Sequence, residues 1–142
     1  LAYGANYDQV MEAPVTIALF TDTDLQKRAR KIARVGGVKN FTDEQLQYFM
    51  QNLPAEFARY DAQQTSDYLA LNAGLVAMNL VLALTDQGIG TNIILGFDKS
   101  KINEVLDIEE RFRPEVLITV GYAAEKVEPS YRLPVDEIID KR

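Results

Sequence analysis

A run from about Thr65 to Gln87 constrains the fold more than any other part of this chain. Leu69, Ala73, Val76, Leu80 and Leu84 recur at spacings of three and four, which lays one apolar stripe along a helix. Leu71, Leu75, Met78 and Leu82 lay a second stripe on a different face. A helix apolar nearly all round must be covered on more than one side. A chain of 142 residues struggles to surround such a helix by itself. Two readings therefore stand side by side: a central core helix, or a helix shared between the core and a second subunit. Ala70, Ala73, Gly74 and Ala77 are small enough for a partner backbone to come close.

Asn72 and Asn79 break this run, so no stretch reaches the roughly 18 uninterrupted apolar residues of a membrane span, and a soluble chain is expected. The apolar fraction of 47% and charged fraction of 25% suit a globular domain, and residues 1–142 read as a single one. A net charge of −6 argues against nucleic acid, whose phosphates require a basic surface, and against an anionic membrane face. The absence of cysteine removes disulfides and thiolate metal sites. No secretory leader is visible in LAYGANYDQVMEAP, which makes the cytoplasm the expected compartment. The absence of histidine also removes the His-based triad, the His-ligated zinc and the usual acid/base group near neutral pH. Chemistry would then come from carboxylates, Lys, Tyr or Ser, or from an organic cofactor, and composition favours the cofactor, which supplies redox chemistry that side chains cannot.

Around the long helix, the sequence punctuates itself clearly. Ala13–Phe20 is a β-branched and aromatic run entered through Pro14, and reads as a buried strand. Thr21 to Asp24 offer cap side chains to a helix with Leu25, Ala29, Ile32 and Ala33 on one face, stopped at Gly36-Gly37. Thr42 and Gln45 form a capping box before Leu46, Phe49, Met50 and Leu53, and Pro54 is expected to interrupt or end that helix. Asn40-Phe41-Thr42 is also a glycosylation sequon, but the capping role is preferred. Gly88 to Thr91 end the long helix, Asn92 to Leu95 are extended, Gly96-Phe97-Asp98 turn, and Lys99 to Leu106 form a short helix. Pro114–Tyr122 is the most strand-like run, Val116, Ile118 and Val120 alternating with Leu117 and Thr119.

Several groupings invite chemical readings. Gly88-x-Gly90 follows a helix rather than a strand, so phosphate would meet the wrong end of a dipole, and a dinucleotide fingerprint is rejected. Asp22-x-Asp24 and Glu109-Glu110 read as a helix cap and a solvated turn rather than metal ligands, and no metal is expected. Lys27, Arg28, Arg30, Lys31 and Arg34 read first as a solvated face and second as an attractor for a phosphorylated nucleotide. Arg132, taken alone, is a surface residue.

Two stretches change that weighting. The segment MNLVLALTDQGIGTNIILGFD, residues 78–98, resembles the central helix, glycine end and x-Gly-Phe loop of the nitroreductase family. PEVLITVGYAAE and SYRLPVDEII resemble the family's last core strand and its arginine-containing C-terminal segment, and DQVMEAPVTIALF resembles its helix-to-strand passage. The resemblance implies an α+β fold, with an antiparallel or mixed sheet flanked by helices around a long buried central helix, and a homodimer with FMN bound where the subunits meet. Carried over residue by residue, it implies that Ile94, Leu95 and Gly96 lie alongside the isoalloxazine with a backbone N–H toward N5. Gly96 would then allow close approach to the ring. Arg132 would contact the flavin phosphate, a task suited to a planar guanidinium. Some family members carry a lysine two positions before this arginine; here Ser130 stands there.

The family's opening helix with its Ser-x-Arg phosphate grip, and the Asn/Gln-Pro segment after it, have no counterpart here. Because Leu1–Val10 reads as the inside of a helix, an N-terminally incomplete chain is expected. The functional expectation is an NAD(P)H-dependent FMN oxidoreductase. Hydride would pass from NAD(P)H through the flavin to a nitroaromatic, quinone or similar small-molecule acceptor, with no side chain as catalytic nucleophile. The alternative is a flavin-binding or dimer-forming protein with little turnover.

Overall fold

The computed structural model describes residues 2–36, 41–125 and 131–140, in the order α1 (Ala5–Glu12), β1 (Val15–Asp22), α2 (Leu25–Gly36), α3 (Asp43–Phe57), α4 (Ala62–Asp86), β2 (Gly90–Ile94), α5 (Ile102–Val105), β3 (Phe112–Gly121) and α6 (Val135–Ile138). The three strands form one antiparallel sheet in the order β1-β3-β2. Residues 37–40 and Ser130 lie outside the described set, and with them the Asn40 sequon and the stop at Gly37.

β3 is the central strand, and its alternation divides the core in two. Val116 and Ile118 face Ala77 of α4, with Ile17, Leu19, Leu80, Val81 and Val120 around them. Leu117 faces the other way, onto Ile94, Phe97 and Ile102, with Ala2, Val10, Ala18 and Phe20 packed against them. A strand buried on both faces reads as a continuous apolar run, which is why Val116 to Thr119 are all buried. Pro114 lacks a ladder donor, and it sits where the register against β1 slips between Leu19 and Phe20. At the other end of the pair, a Cβ on Gly121 would stand 2.8 Å from Cδ of Pro14, so this crossing admits only glycine without a shift.

α4 starts at Ala62, earlier than the apolar pattern suggests, because a second capping box lies upstream. The Asp61 carboxylate accepts from the Gln64 amide at 2.7 Å, and the Gln64 side chain accepts from the Asp61 N–H at 3.0 Å. The helix closes in a Schellman arrangement: Ile89 N–H bonds to Leu84 O at 3.0 Å and Gly88 N–H to Thr85 O at 2.9 Å, with Gly88 at φ 73°.

The buried positions of α4 are Leu69, Ala73 and Ala77. At about 100° per residue, steps of four drift by about 40° each, so the contact line moves round the helix as it crosses the sheet. Val76, expected in the buried stripe, is thereby turned outward and exposed. The second stripe is exposed throughout, with Leu71 at 64% and Leu75 at 63% of full exposure. The long central helix is therefore covered along one side within a single chain. By length and composition alone it could cross a membrane, with 25 residues and a mean hydropathy of 1.7 over its best window, yet its covered side is packed on the sheet.

Two further expectations are corrected. Pro54 neither interrupts nor ends α3; it is buried inside the helix, which continues to Phe57, and its carbonyl accepts from Ala58 N–H at 3.0 Å. Ile32 is exposed, since only Leu25 and Ala29 of its expected stripe are buried among the side chains described. The Thr42–Gln45 capping box forms as read, with bonds of 3.0 and 3.2 Å.

Candidate functional site

The turn at Gly88 sends the chain back along β3 as the edge strand β2, and the loop Leu95-Gly96 leaves its far end. Ile94 is the last ladder residue, opposite Leu117, and is 1% exposed in the core. Its side chain faces the core, so at this position only backbone could meet a bound molecule. Leu95 is 69% exposed, and Phe97 turns back into the core. Phe97 N–H bonds to Leu95 O at 3.1 Å, and Phe97 pairs with Ala2 in an isolated antiparallel bridge.

The start of the chain holds this loop from one side. The Gly96 carbonyl accepts from Tyr3 N–H at 3.1 Å and from Asn6 Nδ2 at 3.3 Å. One turn further along α1, Gln9 meets the side-chain amide of Asn92. A Cβ on Gly96 would stand 2.6 Å from Asn6 Nδ2. Among the described residues, the close approach at this glycine is thus to the movable end of the Asn6 side chain. Among the described residues, the Leu95 and Gly96 N–H groups donate no hydrogen bond. Each of these amides is available to donate to an acceptor-bearing ligand.

Arg132 lies on the exposed segment 131–140 and donates Nη1 to the carbonyl of Tyr131 at 2.8 Å. Among the described residues, no hydrogen bond or ion pair joins it to Ile94, Leu95 or Gly96. The structure thus joins the Leu95–Gly96 loop to Tyr3 and Asn6, and among the described residues no such bond links Arg132 to it. Asn6 carried no signal in the sequence, since nothing local marks a side chain that bonds a carbonyl 90 positions away.

Asp22, Asp24, Arg28 and Glu109, among the charged groups weighed in the sequence, have structural partners. Asp22 accepts from Arg28 Nε at 2.7 Å and pairs with Arg111 at 3.1 Å. Burial raises its pKa, but the Asp24 amide and these two guanidiniums outweigh that and hold the carboxyl below its ordinary value. Glu109 pairs with Arg111 at 3.0 Å, and Asp24 caps α2 through the Lys27 amide at 3.0 Å. In the turn after Phe97, Asp98 is also held low, first by the Ser100 hydroxyl at 2.6 Å.

Comparison with known proteins adds to this geometry. A sequence model of the Nitroreductase family matches residues 4–122. A Streptococcus pyogenes protein, named as a candidate NAD(P)H nitroreductase, is 62% identical over 97% of this chain and 68% of its own length. A Bacillus subtilis protein named in the same way is 33% identical over 95% of this chain and 66% of its own. The crystal structure of a nitroreductase family protein from Streptococcus pneumoniae matches with a TM-score of 0.95 at 84% identity, covering 100% of this chain and 71% of that one. A candidate nitroreductase from Exiguobacterium sibiricum, solved in complex with FMN, matches with a TM-score of 0.88 at 27% identity over 97% of this chain and 67% of that one. The chain spans about two thirds of the length of the curated relatives it matches.

Proposed function

This chain belongs to the Nitroreductase family, a family of oxidoreductases with an α+β fold, and from that premise we propose that it serves as an NAD(P)H-dependent FMN oxidoreductase. FMN, when bound, supplies the chemistry that this chain's side chains cannot: it accepts a hydride from NAD(P)H and passes electrons to a nitroaromatic, quinone or similar acceptor. The observation that carries the reading is the pair of free amides at Leu95 and Gly96, at the end of a strand whose side chain Ile94 anchors in the core.

The residues present fit such a group at this loop. A backbone donor held in place stabilises negative charge arriving at an acceptor atom without reorganising at that moment. The exposed Leu95 side chain would border the space where an acceptor substrate lies, and Ile94 would hold the strand end still from within the core. Arg132 is the proposed phosphate contact, reached through the exposed segment 131–140. We take residues 1–142 as one nitroreductase-like domain and the cytoplasm as its compartment.

The proposed assembly is a homodimer. Leu71, Leu75, Met78 and Leu82 form an apolar strip that the chain itself leaves exposed. Burial of apolar surface stabilises association by roughly 25 cal/mol per Å² before ordering costs, so a strip of this kind favours a cover.

The test is colour and its loss. The purified protein should retain FMN, bleach under anaerobic NADH or NADPH, and regain colour on addition of a quinone or nitroaromatic. A yellow preparation that neither nucleotide bleaches would reject the oxidoreductase reading.

A further inference from the structure

We propose that Asn6 is a positioning residue for the Gly96 amide, an inference that rests on reading this loop as the flavin-facing one. Tyr3 N–H and Asn6 Nδ2 both donate to the Gly96 carbonyl, at 3.1 and 3.3 Å. In a planar trans peptide the following N–H points opposite to that carbonyl, so these two donors also orient the N–H of Phe97. That N–H donates to the Leu95 carbonyl at 3.1 Å. The Leu95 carbonyl shares its plane with the N–H of Gly96, which is in turn directed away from it. The side chain of Asn6, together with the Tyr3 N–H, thereby acts through two peptide planes on the direction of a free amide that donates no hydrogen bond of its own among the described residues.

Asn6 touches no reacting atom in this scheme. It stands behind the loop, and the space in which it stands is the space a Cβ of residue 96 would take, 2.6 Å from Nδ2. The obstructing atom is the end of a movable side chain, so Gly96→Ala would push the Asn6 amide off the carbonyl rather than distort the backbone. Substitution at either residue should have the same consequence. Gln9 supplies the control, since it links α1 to the same edge strand through Asn92, away from the loop.

The experiment compares Asn6→Ala, Gly96→Ala, the double variant and Gln9→Ala in the whole protein. Three quantities are measured for each: FMN affinity by titration of the apoprotein, the midpoint potential of bound FMN, and the urea midpoint. Asn6→Ala should weaken FMN binding about three- to tenfold, the range for one hydrogen bond, and should move the potential. Gly96→Ala should match it, and the double variant should be no worse than either single one. Gln9→Ala should lower the urea midpoint while affinity and potential stay at the parent's values. Parent-like affinity and potential in Asn6→Ala, additive losses in the double variant, or equal shifts in Asn6→Ala and Gln9→Ala would each overturn the inference while leaving the flavin reading intact. A parent protein that takes up no FMN would overturn the reading of the loop and this inference with it.

Discussion

The guanidinium of Arg113 grips Ser66 twice, Nη1 on the hydroxyl at 2.9 Å and Nη2 on the carbonyl at 3.1 Å. This joins the entry of β3 to the long helix above it, and Glu115 holds the same guanidinium from behind at 2.7 Å. Arg113→Ala should destabilise the fold by about 1.5–3 kcal/mol, the range for hydrogen bonds to a charged group. Arg113→Lys should recover little, because an ammonium cannot span both Ser66 oxygens and Glu115 as a planar fork does. Urea denaturation of both variants checks this.

Acid sensitivity should be traceable to Asp22. Its carboxyl is held below the ordinary value in the folded chain, so the stabilisation it brings is complete above about pH 4, the unfolded value, and is lost as pH falls through the lower folded value. Asp22→Asn should therefore be less stable than the parent at pH 7, and the gap should narrow as pH falls below 4. Urea midpoints at pH 7 and pH 3 read the two gaps; a constant gap would place the acid response elsewhere.

The exposed strip of α4 separates folding from association. Leu71→Asp or Leu75→Asp places a charge where one chain already leaves the side chain in solvent, so the monomer fold should survive. In the proposed dimer the same charge would be buried unpaired, at a cost of about 3–5 kcal/mol. Sedimentation should show the parent as a dimer at micromolar concentration, and each variant as monomer or aggregate. A monomeric parent would count decisively against this assembly.

Arg132→Ala should weaken FMN binding by about tenfold to a hundredfold, as expected for the loss of one charge-assisted phosphate contact. Flavin titration into the apoprotein measures it. An unchanged dissociation constant would remove Arg132 from the proposed site.

Gly88 ends the long helix at φ 73°, with open space around its missing Cβ. Gly88→Ala should thus cost only the backbone penalty for a left-handed residue, about 1–2 kcal/mol. A thermal melt checks the value, and a much larger loss would mean that contacts other than the turn depend on this position.

What could be read beforehand divides along physical lines. Thr42 and Gln45 were legible because a capping box closes within four residues, and the apolar pattern of β3 was legible because its burial is nearly uniform. Asp61 and Gln64 form an equally local box, but the apolar stripe drew the expected helix start to Thr65 and concealed it. The outward turns of Val76 and Ile32 depend on how each helix lies on its neighbours, which periodicity does not encode. Pro54 shows local propensity overridden, with the ring buried and the helix carried one turn further. At the proposed site, the family resemblance drew attention to residues 94–96, but the support behind them comes from Tyr3 and Asn6, and no spacing rule links these to Gly96.

The contact between Gly121 and Pro14 bears on how this chain finds its pairing at all. A β1–β3 alignment displaced by two residues would still send the same side chains inward and outward, so hydrophobic patterning alone does not reject it. It would, however, bring Thr119 or Ala123 opposite the proline ring, and each carries the Cβ for which that crossing has no room. The bare backbone of Gly121 therefore acts as a steric key during the conformational search. It marks the native alignment among near-equivalent ones for two strands that the sequence separates by most of its length.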